Sequence, residues 1–144
     1  MERGVEMAKL TKPQIKAHAE AMALVDCDRP LKDDEKEFIL DNWQESARHL
    51  NAVNAAFFTP SQLARDLAIY VDGRSIIDLC AGIGTLAFYS IDRWTYEQLQ
   101  RLVCVELNPD YVEVGRKIVP EATWLCADVF KLPADLGEFD CAMA

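Results

Sequence analysis

Three apolar runs, each closed by a carboxylate, limit what this chain can fold into more than any other feature. Ser75-Ile76-Ile77 ends at Asp78 and leads into Leu79-Cys80-Ala81-Gly82-Ile83-Gly84. Leu102-Val103-Cys104-Val105 ends at Glu106, and Trp124-Leu125-Cys126-Ala127 ends at Asp128. Short apolar runs bounded by turn residues read as buried strands. Helix-like stretches separate them, and alternation of strand and helix means parallel strands joined by right-handed crossovers. Strands 1, 2 and 3 then step outward in one direction. A fourth, within Phe139-Asp140-Cys141-Ala142-Met143-Ala144, goes to the other side of strand 1. The expected fold is α/β: a partial doubly wound parallel sheet of order 3-2-1-4. Ligands of such sheets sit outside the carboxyl ends of the strands where the order reverses, here over Gly82 and Gly84.

An N-terminal helical segment, residues 1–56, is expected to precede the sheet domain of residues 57–144. Thr11 and Pro13 mark a helix start, and Ile15, Ala19 and Met22 recur at helical spacing up to Val25. Asp26-Cys27-Asp28-Arg29-Pro30 interrupts the pattern. Asp33, Asp34 and Glu35 suit a helix N-terminus, and Ile39, Trp43, Ser46, Leu50, Val53 and Phe57 continue as one stripe. After Pro60, Ser61 can cap a helix over Gln62 to Tyr70 with Leu63, Leu67 and Tyr70 on one face. Further helices are expected from Gly84 to Arg93, from Tyr96 to Arg101, and from Asn108-Pro109 to Pro120.

Composition narrows the function classes. The chain has 144 residues, is 51% hydrophobic and carries a formal charge of −9. Its Lys and Arg residues form no cluster of the kind that grips a nucleic-acid backbone. No window approaches the roughly 18 apolar residues of a membrane span. The first residues lack the apolar core of a signal peptide, so a cytoplasmic location is the expectation. The five cysteines, Cys27, Cys80, Cys104, Cys126 and Cys141, show no zinc or disulfide spacing. They read as small buried hydrophobes. His18 and His49 are isolated and read as helix-surface residues, so no metal site is expected.

The strand ends carry the chemistry. Glycine at positions 82 and 84 lets a ligand approach the backbone. Ala87 stands where the dinucleotide fingerprint has its third small residue, so the Gly-x-Gly turn by itself leaves a pyrophosphate ligand open. Glu106 is placed to accept both hydroxyls of a ribose, a device that NAD sites share. Asp128 can accept from the exocyclic amine of an adenine, and the Val129 N–H can serve a ring nitrogen.

Asp78-x-x-x-Gly82-x-Gly84, Glu106 and Asp128 together resemble the first three motifs of class I S-adenosylmethionine-dependent methyltransferases. Phe58-Thr59-Pro60, upstream of strand 1, resembles the element that precedes the cofactor motif in DNA adenine methyltransferases of the type I modification-subunit kind. The resemblance covers residues 57 to 144. It implies that Phe58, Thr59 and Pro60 hold the methionine end of S-adenosylmethionine. It also brings Cys80, Ala81 and Leu107, which adjoin the motifs, into the cofactor site.

The family places Asn/Asp-Pro-Pro-Tyr/Phe after strand 4, where it holds the target amine of a flipped base. The sequence ends just before that position. Residues 57–144 are therefore expected to be the cofactor-binding half of a methyltransferase domain, without catalytic residues and inactive alone on DNA. DNA is the expected partner only in the intact family protein. The alternatives are a non-catalytic S-adenosylmethionine-binding or interaction protein, and a methyltransferase acting on RNA or protein. An open strand-4 edge leaves a homodimer or a partner subunit as further expectations.

Overall fold

The structure, a computed structural model, describes residues 10–44, 58–91 and 98–144. Four parallel strands lie in the order β3-β2-β1-β4. They are β1 (Ser75–Asp78), β2 (Arg101–Glu106), β3 (Thr123–Cys126) and β4 (Cys141–Met143). In register, Asp78 pairs with Cys104 on one side and with Met143 on the other, while Glu106 pairs with Cys126. The order and direction agree with the sequence reading, because each crossover between β1, β2 and β3 steps the same way.

Five helices accompany the sheet among the described residues. They are α1 (Lys12–Val25), α2 (Asp33–Asn42), α3 (Ser61–Ala68), α4 (Thr85–Ser90) and α5 (Pro109–Ile118). Thr11 caps α1 in a reciprocal capping box with Gln14. Asn108 caps α5 by accepting from the Asp110 N–H at 2.9 Å, with Pro109 at the first helical position.

The two faces of the sheet are covered differently. Ile76, Leu102 and Cys104 pack with Ala21, Ile39, Trp43, Ile83, Ala87, Val112 and Ile118, so α1 and α2 share one core with the sheet. Ile77, Val103 and Val105 pack instead with Leu125, Leu132, Leu136 and Phe139. The elements described over this second face, at 129–131 and 134–136, are short 3₁₀ turns. A sheet wound with α-helices on both faces is thus described on one face only. Asp140 fastens the β4 end of that segment: its carboxylate accepts the N–H groups of Arg74 and Ser75 at 2.8 and 2.9 Å.

Several local expectations need correction. The helix expected from Asp33 towards Phe57 ends at Asn42, and Trp43 is extended (φ −73°, ψ 129°). Tertiary contacts turn the chain there. The Trp43 indole N–H donates to Met22 Sδ at 3.0 Å, and its ring meets Phe58 and Tyr111 edge-on at 5.6 Å each. Ser46, His49, Leu50, Val53 and Phe57 lie outside the described residues.

Pro60 rather than Ser61 is the N-cap of α3, and the Ser61 hydroxyl donates to Asp41 instead. The face with Leu63, Leu67 and Tyr70 points outward, Tyr70 being 78% exposed, because α3 seats its small Ala64 inward. The helix expected up to Arg93 is described only to Ser90. Residues 92–97 lie outside the described residues, and Arg101 opens β2 rather than closing a helix. His18 is buried, not on a surface: its Nδ1 accepts the Gln44 N–H at 3.0 Å and its ring leans on Trp43. All five cysteines are free, but Cys80 and Cys126 are exposed rather than buried.

Candidate functional site

The carboxyl ends of β1, β2 and β3 bring the candidate residues to one edge. The turn after β1 needs glycine because Gly82 (φ +56°) and Gly84 (φ +95°) both have left-handed backbones. A Cβ on Gly82 would stand 3.2 Å from the Phe58 ring. Phe58 therefore packs directly on the turn, held by edge-on contacts to Trp43 and, at 5.2 Å, to Tyr111. Residues far apart in sequence thus meet behind the glycines. Thr59 is half-buried beside Phe58, and Pro60 is exposed at the start of α3.

Glu106 is already oriented. Its Oε2 accepts the Gly82 N–H at 2.9 Å and its Oε1 accepts the Asn108 N–H at 2.8 Å. Each oxygen keeps a second lone pair, which leaves two acceptors side by side for a vicinal diol. Asp128 is fixed in the same manner. Oδ1 accepts the Phe130 N–H at 3.0 Å, capping the 129–131 turn, and Oδ2 lies 3.6 Å from Lys131. The Asp thus has its turn-forming role, with Oδ2 still able to accept a hydrogen bond.

Three N–H groups of the turn are already engaged. The Gly82 N–H goes to Glu106 and the Gly84 N–H to the Ala81 carbonyl at 2.8 Å. The Ala81 N–H goes to Val105 at 2.9 Å, and Ala81 itself is buried. Phosphate cradles need such N–H groups free and a positive field. Here three carboxylates, Asp78, Glu106 and Asp128, line the strand ends instead.

Asp78 is the most unusual of the three. It is 0% exposed, and neither carboxylate oxygen has a hydrogen-bond partner. Burial pushes its pKa up to about 7. The nearby Cys80 N–H pulls the other way without reaching hydrogen-bond geometry, and the charge of Glu106 adds to the rise.

Leu107 and Phe130 stand out as apolar groups at this edge, 68% and 93% exposed. Leu107 directly follows the Glu106 carboxylate, and Phe130 lies two residues past Asp128, after the half-buried Val129. Phe130 escaped the sequence reading, although an aromatic residue just past a strand-end Asp was a visible signal. Cys80 is exposed at the start of the turn.

Two concavities lie away from this edge. One, of about 660 Å³, opens between α1 and α2 and is lined by Leu24, Phe38 and the Arg29–Glu35 ion pair. The other, of about 260 Å³, lies between α2, α4 and Glu121. Neither holds any of the strand-end carboxylates. Among the described residues, no cluster of His, Cys, Asp and Glu could hold a metal ion, and no helix is long and apolar enough to cross a membrane.

No family model, curated protein or solved structure matches this chain.

Proposed function

We propose that this chain binds S-adenosylmethionine at the carboxyl edge of its sheet, as the cofactor-binding part of a class I DNA adenine methyltransferase. The observation that carries the reading is Glu106, held by two backbone N–H groups with two lone pairs left for a ribose. The acidic strand ends favour a nucleoside bearing positive charge over one bearing phosphates. Asp128 Oδ2 can accept from the adenine amine, and the exposed Leu107 and Phe130 offer apolar cover for the base. Phe58, seated on Gly82, supports the assignment of Phe58-Thr59-Pro60 to the methionine end. Residues 1–144 contain no Asn/Asp-Pro-Pro-Tyr/Phe, so no methyl-transfer step is assigned to any residue of this sequence.

Glu106→Ala tests the carrying observation. A hydrogen bond to a charged group is worth about 1.5–3 kcal/mol. Calorimetry with S-adenosylhomocysteine should show binding about ten- to a hundredfold weaker than in the wild type. Equal affinities would remove the assignment. A thermal-shift comparison gives a second result: S-adenosylhomocysteine should raise the melting temperature and NAD should leave it unchanged. A larger shift with NAD would return the site to a dinucleotide.

A further inference from the structure

We propose that binding of an ammonium-bearing ligand at this edge expels a proton from Asp78, so that acid weakens the site. The inference rests on the cofactor reading above and concerns its regulation.

Its basis is a missing partner. Asp78 closes β1 with its backbone paired to β2 at Cys104 and to β4 at Met143. Alternation along the strand puts its side chain on the same face as Ile76, the face that α4 covers. From β2 it meets the buried Cys104 thiol, itself pushed far up by burial, and the Glu106 carboxylate. From β4 its neighbour is Met143. The polar residues that α4 buries, Thr85 and Ser90, carry no charge, and the Tyr89 hydroxyl accepts from Arg65 at 3.4 Å. No cation acts on Asp78 among the described residues. A carboxylate so enclosed takes up a proton unless a positive charge arrives.

With Phe58-Thr59-Pro60 on the methionine end and Phe58 packed on Gly82, the amino-acid tail of S-adenosylhomocysteine would bring such a charge to the turn after β1. Its ammonium favours ionised Asp78, so the O–H bond breaks and the proton leaves to buffer. The sign follows from linkage. On acidification below pH 7 the ligand must displace more bound proton, and affinity falls about tenfold per pH unit until the bound form also protonates. Above pH 7 Asp78 is already ionised and affinity levels off.

Calorimetry at pH 6, in two buffers of different ionisation enthalpy, counts the protons released. Close to one is expected for S-adenosylhomocysteine. None is expected for 5′-methylthioadenosine, which has the nucleoside without the ammonium, and none for S-adenosylhomocysteine with Asp78→Asn. Carbon-13 NMR of the Asp78 carboxyl in the ligand-free wild type should show titration near pH 7, independently of whether the variant folds. Proton-neutral binding of S-adenosylhomocysteine at pH 6 overturns this inference and leaves the cofactor reading intact. Titration of Asp78 in the ordinary carboxylate range does the same. Absence of binding at every pH removes both.

Discussion

Asp78→Asn is expected to stabilise the ligand-free chain at pH 8 by about 4 kcal/mol, and to change little at pH 4. The folded Asp78 has its pKa raised to about 7, against 3.8 for the free side chain. Each pKa unit corresponds to about 1.4 kcal/mol. At pH 4 and below, the native carboxyl is neutral and costs little more than an amide. Between pH 4 and 7 the unfolded chain releases the proton while the native state keeps it, so wild-type stability falls as pH rises. Above pH 7 both states are ionised and the cost is constant. Asparagine has the same shape and no charge, so its stability should lack this slope. Glu35 and Asp140 act in the opposite sense, since Arg29 and the Arg74 and Ser75 N–H groups hold their pKa values down. Their effect is common to both proteins and cancels in the difference. Urea denaturation from pH 4 to pH 8 is the measurement. Equal stabilities at pH 8, or a less stable variant there, would show that Asp78 finds a partner.

A buried titratable group that weakens the fold is a candidate functional residue. The same carboxyl that destabilises the empty chain is, in our reading, paid back when a cationic ligand enters.

Most of the sheet was legible because its signals are local. Each strand is a short apolar run, and the first three lead into a carboxylate and a turn. The order 3-2-1-4 followed from crossover handedness together with the reversal that a doubly wound sheet makes after its third strand. The helix caps at Thr11 and Asn108 were legible for a similar reason: the capping side chain lies within three residues of the N–H that it serves.

What was not legible depends on partners distant in sequence. Trp43 sits at helical spacing from Ile39, yet its ring and indole N–H are claimed by Met22, Phe58 and Tyr111. No window around residue 43 contains those partners. His18 looked like a surface residue for the same reason, since Gln44 is its hydrogen-bond donor. In α3 the apolar pattern was real but its direction was not. Ala64 packs inward because a small residue lets the helix approach α4 closely, leaving Leu63 and Leu67 at 49% and 42% exposure. At the site, Glu106 and Asp128 were visible as strand-end carboxylates. That Glu106 holds the Gly82 N–H depends on a hydrogen bond from the turn after β1 to the end of β2.

Gly115→Ala is expected to destabilise the chain by about 1–3 kcal/mol, although helix propensity alone favours it by about 1 kcal/mol. Gly115 lies in α5 with ordinary helical backbone, so the strain is one of space. A Cβ there would overlap the six-membered ring of Trp124, closer than any real contact. The indole has little freedom to retreat. It is 6% exposed, its N–H donates to the Val119 carbonyl at 3.1 Å, and the same Cζ2–Cη2 edge rests against Gly84, where a Cβ would stand only 3.2 Å away. Trp124 is therefore a wedge between α5 and the ligand turn, and the two glycines are the walls of its slot. Displacing it either breaks the hydrogen bond to Val119 or pushes on Gly84. Urea denaturation of Gly115→Ala, Trp124→Leu and the double variant separates these effects. With leucine at position 124 the added methyl should cost little or become favourable, giving a coupling of at least about 1 kcal/mol between the sites. Additive losses would mean that the Trp124 ring is not what Gly115 accommodates.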